Sequence, residues 1–219
     1  MSRNAEKDAL MMAENRQRLL EAGFRLFAEQ GIEKVTLNEV AKEAGVGVAT
    51  LFRHFPSKPE LAVAISVWKW TDYIAGARRK YPPELLERLT AAEHLELYFD
   101  LFLDMYRSHR DMLRFNQFFN IYMRGEGGGL VEPYTRMIEG LTSGFHAVRR
   151  KAERDGTVRT DVPETEMLSA LLHIMLSAVT RYAVGLLYLP EGCDPERELA
   201  LLKQALLREY LPRPASETM

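Results

Sequence analysis

The stretch LNEVAKEAGVGVATLFRHF, residues 37–55, decides the fold of this chain. Its first eight residues carry apolar side chains at positions 37, 40, 41 and 44, which is the spacing of one helix face. Gly45 follows, and glycine readily adopts the left-handed conformation that ends many helices. A second short segment begins near Gly47, and Val46 and Leu51 would close the crossing between the two segments. The pattern predicts two short helices joined by a tight turn, in a helix-turn-helix arrangement.

Two capping boxes mark where helices begin on either side of this turn. In the motif TLNE, residues 36–39, the threonine and the glutamate can each bond the other's backbone N–H. Val35 and Val40 stand at the positions of a hydrophobic staple around this box. The motif SKPE, residues 57–60, repeats the box and places its proline in the first helical turn, where a missing N–H costs little. Each box predicts a helix that begins at its second residue.

Helical spacing of apolar residues recurs along the rest of the chain, and sustained strand-like alternation is not found. Breaks in the helical pattern are predicted at Pro82–Pro83, at the glycines between 125 and 129, at Asp155–Gly156 and at Pro190–Pro195. The predicted fold class is therefore all-α.

The composition excludes several classes of protein. A chain of 219 residues with 47% hydrophobic and 27% charged residues is long enough to bury a core. One cysteine excludes a disulfide framework and a cysteine zinc cluster. The first residues lack the apolar segment of a signal peptide, and the longest uncharged apolar stretch, residues 167–180, is too short to span a bilayer. We expect a cytoplasmic protein that does not insert into membranes.

No group of residues indicates catalysis. The five histidines are scattered, so we expect no metal site, and the glycines between 125 and 129 lack the flanking residues of a phosphate-binding loop. The prediction is a protein that is not an enzyme and holds no cofactor. Cys193 lies near a predicted helix start, where the pKa of a thiol can fall. Both a redox switch and a thiol without a function remain open for it.

The second short helix has the side chains expected of a helix that enters the major groove of DNA. Small residues at its start permit close approach, and the methyl groups of alanine and threonine can contact a thymine methyl. Between Gly45 and Pro59 the chain carries no acid, while Arg53 and Lys58 can contact phosphate or guanine. The alternative is a plain helical hairpin whose charges only contact solvent.

A longer run settles this choice by resemblance. Residues 16–61, RQRLLEAGFRLFAEQGIEKVTLNEVAKEAGVGVATLFRHFPSKPEL, combine a leucine–phenylalanine pattern ending at Gly31 with the motifs VAKEAGV, TLF and FPSK. This run closely resembles the N-terminal DNA-binding region of the TetR family of bacterial transcriptional repressors. It departs from the family at Gly47–Val48, where members often have Ser-Lys or Ser-Arg, and at Phe52, where tyrosine is common.

The resemblance implies a two-domain organisation and a set of DNA-binding residues. It implies a three-helix helix-turn-helix head at residues 1–58 and a helical ligand-binding and dimerisation body at residues 59–219. Double-stranded operator DNA would be bound by a homodimer, with two residues at helix starts contacting phosphates and the others facing the groove. The implied DNA-binding residues are Thr36, Gly47, Val48, Ala49, Thr50, Phe52, Arg53, His54 and Lys58.

The C-terminal part fits such a body. The segment Met167 to Leu187 is apolar on nearly all faces, which is typical of a helix buried on one side by its own chain and on the other by a partner. With the last helix, Pro195 to Tyr210, it would form a four-helix dimer interface. The alternative is a central helix in a monomer. The predicted interface residues are Ala170, Ile174, Ser177, Ala178, Leu199, Leu202 and Leu206.

Aromatic and methionine side chains are concentrated between Phe99 and Phe145. Such residues line pockets for small apolar molecules, but at helical spacing they also build ordinary cores. The candidate ligand-binding residues are Phe102, Tyr106, Asn116, Phe119, Asn120, Met137 and His173.

Together these observations predict a transcriptional regulator that represses from a palindromic operator and is released by a small hydrophobic or aromatic effector. One alternative is a DNA-organising or cell-division regulator of the same fold that needs no ligand. The other is an enzyme or carrier built on a helical bundle.

Overall fold

The computed structural model describes residues 3–185 and 192–212, and within these ranges the chain forms helices and turns without a strand. This confirms the predicted all-α fold. A 3₁₀ turn, Gly128–Leu130, precedes α8, and a π-helical turn, Leu172–Leu176, joins α9 to α10. The helices are α1 (Arg3–Gln30), α2 (Leu37–Ala44), α3 (Val48–His54), α4 (Lys58–Lys80), α5 (Pro83–Arg88), α6 (Ala91–Ser108), α7 (Arg110–Tyr122), α8 (Glu132–Asp155), α9 (Glu164–Leu171), α10 (Ser177–Val184) and α11 (Pro195–Tyr210).

The chain divides into two compact units. The first, which we call the head unit, comprises Met1–Asp72 and Arg114–Met137, and the second, the body unit, comprises Tyr73–Leu113 and Ile138–Met219. The domain boundary predicted after residue 58 coincides with the start of α4, whereas the head unit continues along this helix to Asp72.

The core of the head unit is built from α1 to α4 together with most of α7. Side chains from all five helices are buried in one apolar cluster. Phe115 of α7 lies 5.7 Å from Phe24 of α1 and 5.9 Å from Phe119, measured between ring centroids, and Phe119 in turn lies 5.1 Å from Tyr134. The aromatic residues of α7 therefore pack as core of the head unit.

The body unit has its core between α6, α9, α10 and α11. Phe99 of α6 stacks on Tyr210 of α11 at 6.5 Å, and the hydroxyl of Tyr210 donates to the carbonyl of Met167 at 3.2 Å. Tyr106 of α6 contacts Tyr182 of α10 edge to face at 6.2 Å. These contacts hold the last helices of the described chain on α6.

The α9–α10 segment, Glu164–Val184, is one continuous helical segment of 21 residues. By length and composition alone this helix could cross a membrane, but the core helix of a soluble protein meets the same criteria. The helix is longer than the uncharged stretch because it also includes charged residues at both ends. The segment was predicted to reach Leu187, but Leu186 and Leu187 lie outside the described residues.

This segment and α11 carry apolar side chains that the described chain leaves exposed. Ile174 is 40% exposed and Leu201 is 58% exposed, and Val184 is exposed as well. Of the predicted interface residues, Leu199 is a correction: only 1% of it is exposed, because it packs inside its own chain and has little surface left for a partner. The other predicted interface residues are exposed or half-buried: Ala170, Ile174, Ser177, Ala178, Leu202 and Leu206.

Candidate nucleic-acid interface

The start of α2 has the predicted capping box. The backbone N–H of Glu39 donates to Thr36 Oγ1 at 3.2 Å, and the backbone N–H of Thr36 donates to Glu39 Oε2 at 2.7 Å. The backbone hydrogen bond from Thr36 is the main reason why the pKa of Glu39 lies below its ordinary value. The staple residues Val35 and Val40 are both buried beside the box. These local bonds set the direction in which α2 leaves the preceding loop.

Gly45 makes the turn between α2 and α3 possible. Its φ of 62° and ψ of 35° lie in the left-handed region, which glycine enters without the steric cost that a side chain imposes. The N–H of Val46 then donates to the carbonyl of Ala41 at 2.9 Å and closes the end of α2. Val46 and the buried Leu51 pack toward the head core, as predicted. The opposite side of α3 is thereby directed outward.

The outward face of α3 is unusually apolar for a solvent-exposed helix. Val48 is 42% exposed and Phe52 is 44% exposed, and Gly47, Ala49 and Arg53 are exposed beside them. Thr50 is half-buried. A short helix with small residues at its start, an exposed aromatic ring and a guanidinium group matches the surface that reads base edges in a major groove.

Lys58 has a different role from the predicted one. Its Nζ donates to the carbonyls of Ile32 at 2.9 Å, Glu33 at 3.1 Å and Val35 at 3.0 Å. An ammonium group has three donors, so these carbonyls occupy all of them. The side chain fastens the loop between α1 and α2 to the start of α4, and in this arrangement it has no donor left for a phosphate.

We therefore expect Lys58→Met to lower the free energy of unfolding by about 2 kcal/mol, because three carbonyls lose a charged donor. Urea denaturation of the purified protein measures this. Lys34→Met is the matched control, since Lys34 is an exposed lysine of the same loop, and it should change stability by less than about 0.5 kcal/mol. If Lys58→Met left stability unchanged and instead reduced the salt dependence of DNA binding, Lys58 would be a phosphate contact after all.

Two further residues that were predicted to contact DNA, Thr36 and His54, partly interact with other groups of their own chain. The hydroxyl of Thr36 donates to Glu39 Oε2 at 2.7 Å and accepts from the Glu39 N–H, so its first role is the capping box. His54 is half-buried, and its Nε2 is enclosed without a hydrogen-bond partner among the described residues. Burial, reinforced by Arg53 and Arg16, keeps the pKa of His54 below its ordinary value, so the ring stays neutral near pH 7.

Arg16 is a cation that the sequence analysis missed. It is exposed on α1, and its guanidinium lies 5.1 Å from the ring centre of Phe55, immediately after α3. The two residues are 39 positions apart in the sequence, so no short motif could have revealed the contact. Arg16 and Arg53 place two guanidinium groups next to the outward face of α3.

The sequence of this head matches a known family. Residues 19–65 match the model of the bacterial regulatory proteins of the tetR family. This match covers the head and leaves the rest of the chain outside the family model.

A relative is similar to this chain over the head, and solved structures share its fold. An HTH-type transcriptional regulator of Staphylococcus aureus is 49% identical over 55 residues, which is 25% of this chain and 28% of that protein. A transcriptional regulator from Saccharomonospora viridis in complex with choline has a TM-score of 0.74 at 19% identity, covering 92% of this chain and 100% of that chain. FadR from Bacillus subtilis in complex with stearoyl-CoA has a TM-score of 0.69 at 16% identity, covering 87% of this chain and 97% of that chain. The matches to solved structures extend the likeness in fold beyond the head.

The body unit contains a cavity of about 180 Å³. Its wall is mostly apolar and aromatic and is formed by α4, α5, α6 and α8. The lining includes Tyr73, Arg78, Leu86, His94, Tyr98 and Gly144. A Cβ atom on Gly144 would lie 1.8 Å from the hydroxyl oxygen of Tyr98, so only glycine leaves room for that tyrosine.

None of the predicted ligand residues lines this cavity. Asn116 and Phe119 are buried in the head unit, and Asn120 and His173 are exposed. Phe102 and Tyr106 are buried in the body core, and Met137 is half-buried at the end of the head unit. The aromatic residues at helical spacing, which suggested a pocket, instead form the buried faces of α6 and α7. Ligand pockets and cores are built from the same residue types, so the spacing alone did not distinguish them.

The surroundings of Cys193 bear on the two alternatives left open for it. Its thiol donates to Glu198 Oε1 at 2.7 Å, and this carboxylate also accepts from the hydroxyl of Tyr182. The bond to the carboxylate raises the pKa of the Cys193 thiol to about 11. The thiolate is the reactive form, so this environment opposes a redox switch.

Proposed function

We propose that this chain is a cytoplasmic, homodimeric transcriptional regulator that represses from a palindromic operator and is released by a small effector. The observation that carries the proposal is the outward face of α3, where Val48, Ala49, Phe52 and Arg53 are exposed on a helix whose other side is fixed in the head core. A stable protein gains nothing from an exposed valine and phenylalanine on a seven-residue helix, whereas a major groove offers thymine methyl groups to contact.

The relatives support the same function. The matched S. aureus protein is a helix-turn-helix transcriptional regulator, but the match spans about 28% of its length, so the activity of the whole chain is a proposal. Proteins of similar fold bind stearoyl-CoA or choline. Stearoyl-CoA and choline are chemically very different molecules. The fold alone therefore does not specify the effector of this chain, and its own residues must determine which molecule binds.

Effector release follows from linkage. The DNA-competent dimer presents its two α3 helices roughly 34–36 Å apart, one turn of duplex DNA. An effector that binds a differently spaced dimer more tightly must weaken DNA binding by the same factor. The cavity in the body unit supports a regulator that is released by an effector over the ligand-independent regulator of the same fold. A regulator without a ligand needs no such space.

Selection from random double-stranded DNA tests the proposal. The expected result is a palindromic site whose half-sites are one helical turn apart. The affinity for that site should fall steeply between about 50 mM and 200 mM salt, since each phosphate contact releases counterions. Recovery of no consensus, or an affinity that does not respond to salt, would refute DNA recognition by α3.

The dimer can be tested through the exposed face of the α9–α10 segment. We expect Ile174→Asp to weaken dimerisation by roughly a hundredfold, because a two-fold interface would bury two carboxylates without partners. Sedimentation equilibrium measures the dissociation constant. Ile121→Asp is the matched control, since Ile121 is an isoleucine of the head unit that is similarly exposed, and it should leave the dimer intact. Equal effects of both variants, or a monomeric wild type, would exclude this interface.

A further inference from the structure

The hydrogen-bonding groups that α3 can offer to DNA bases are few. Its polar side chains are Thr50, Arg53 and His54, and of these only Arg53 is exposed. Thr50 and His54 are half-buried, and Nε2 of His54 is enclosed. Gly47, which precedes the helix, contributes no side chain. Hydrogen-bond readout of base edges by α3 therefore depends largely on one guanidinium group, and guanine is the base that arginine contacts most often.

The rest of the outward face of α3 is apolar. Val48 is 42% exposed and Phe52 is 44% exposed. A helix turns by about 100° per residue, so these two side chains lie about 40° apart around the helix axis. Ala49 is exposed as well, and by the same geometry it lies between Phe52 and Arg53. The outward face therefore consists of an apolar strip, Val48, Ala49 and Phe52, with a guanidinium group along one edge.

The chemistry of the major groove limits what this strip can recognise. Base-pair edges there carry hydrogen-bond donors and acceptors, and the 5-methyl group of thymine is the one apolar substituent. An apolar side chain against an amino group or a carbonyl oxygen would take that group out of water without giving it a partner, which is unfavourable. Against a thymine methyl group, both surfaces are apolar and their removal from water is favourable.

The length of the strip limits where the thymines lie. A helix rises by about 1.5 Å per residue, so Val48 and Phe52 are about 6 Å apart along the axis of α3. Successive bases of one strand are about 3.4 Å apart along the duplex. A helix that lies along the groove therefore brings the two side chains to bases that are no more than two steps apart.

We propose that α3 selects its operator through the 5-methyl groups of two thymines in each half-site, one contacted by Val48 and the other by Phe52, no more than two base steps apart. The inference rests on the proposed function, since it names the sequence feature that the DNA-binding face selects. It makes Val48 and Phe52 specificity-determining residues and leaves the hydrogen-bonding contact beside them to Arg53.

Replacement of thymine by deoxyuridine in the operator recovered by selection tests the inference with the wild-type protein. Deoxyuridine keeps the hydrogen-bonding groups of thymidine and lacks only the methyl group. Burial of one such group is worth about fourfold in affinity, so a contacted position should lose roughly fifteenfold when both half-sites are changed. Two positions in each half-site should show this loss. Half-sites without thymine, or an affinity that no replacement changes, would overturn the inference.

Adding a methyl group gives the complementary test. At a contacted position, the thymine–adenine pair is exchanged for cytosine–guanine and, separately, for 5-methylcytosine–guanine. These two operators have the same hydrogen-bonding groups and differ only in the methyl group. The methylated operator should bind about fourfold more tightly for each half-site that carries the change. Equal affinities would show that the methyl group is not what the protein contacts there.

The variants Val48→Ala and Phe52→Ala assign each methyl group to its side chain. Each variant should nearly abolish the deoxyuridine penalty at one position and retain it at the other, a pattern that a general loss of stability cannot produce. Leu85→Ala is the matched control, since Leu85 is 40% exposed and belongs to the body unit. It should retain both penalties. Penalties that persist at both positions in both variants would refute the assignment.

The outcomes also distinguish this inference from the proposed function. A palindromic consensus with deoxyuridine penalties supports both. A palindromic consensus that tolerates deoxyuridine at every position refutes recognition of methyl groups and leaves DNA recognition intact. Recovery of no consensus refutes both.

Discussion

Replacing Arg53 with alanine is expected to weaken operator binding by roughly 30- to 20,000-fold while the head stays folded. A lost guanidinium contact costs about 1–3 kcal/mol at one half-site. A symmetric dimer loses it twice, so we expect about 2–6 kcal/mol in total, and each 1.4 kcal/mol is tenfold in Kd. Fluorescence anisotropy with the selected operator measures the effect.

Stability should hardly change, because Arg53 is exposed at the outer side of α3. Exposed substitutions usually stay within about 0.5 kcal/mol, so thermal melts of wild type and variant should nearly coincide. Arg150→Ala is the matched control: it removes the same charge from an exposed arginine in the body unit and should leave the affinity near that of the wild type. A parallel loss of melting temperature in Arg53→Ala would make Arg53 a structural residue.

The salt dependence of operator binding then shows whether Arg53 contacts a phosphate or a base. If it neutralises a phosphate, the slope of log affinity against log salt becomes shallower by about one for each half-site. If it contacts a guanine, the slope changes little and discrimination at one base pair of each half-site is lost. Arg16→Ala should follow the phosphate pattern, because its exposed guanidinium lies beside the end of α3.

The second large effect is a loss of stability in acid caused by His94. The pKa of His94 is about 4 in the folded chain, whereas the ordinary pKa of histidine, which applies to the unfolded chain, is 6.5. Between these values the unfolded chain takes up a proton that the folded chain does not, so folding is progressively disfavoured as the pH falls. Above pH 6.5 the ring is neutral in both states and does not reduce the free energy of unfolding. As the pH falls from 6.5 to about 4, His94 lowers the free energy of unfolding by roughly 3 kcal/mol.

Urea denaturation at several pH values between 7.5 and 4 measures this loss. Carboxylates also titrate in that range, so the quantity of interest is the difference between the wild type and His94→Phe, which has no imidazole to protonate. The variant should be the less acid-sensitive of the two by roughly 3 kcal/mol at pH 4. His109→Gln keeps His94 and should lose stability as the wild type does. Identical pH profiles for wild type and His94→Phe would show that the cavity does not depress the pKa of His94.

The local architecture of the reading head was predictable from the sequence. The capping box at residues 36–39, the left-handed Gly45 and the buried Leu51 all depend on interactions over a few positions, and each was found as expected. The all-α class followed from apolar spacing for the same reason. The departure at residues 47 and 48 from the common family pattern was also visible, and it shifts the expected DNA contacts toward Arg53.

The residues that line the cavity of the body unit were not predictable in the same way. Aromatic spacing in α6 and α7 could indicate a pocket or a core, and packing made Phe102 and Phe119 core residues. The cavity is instead lined by Tyr73, His94 and Tyr98, whose sequence context gave no sign of it. Which faces of a helix leave space between them depends on how neighbouring helices pack.

The sequence by itself determined that two short helices would meet at a glycine turn and that the second would present Val48 to Arg53. Hydrogen bonds and apolar spacing within one or two turns of chain are enough to specify this. Only the tertiary structure decided that Lys58 is bonded to three carbonyls more than twenty residues away, that Arg16 lies beside the end of α3, and that His94 is buried beside a cavity. Those outcomes depend on which distant groups the packed core brings together, and no local pattern encodes that choice.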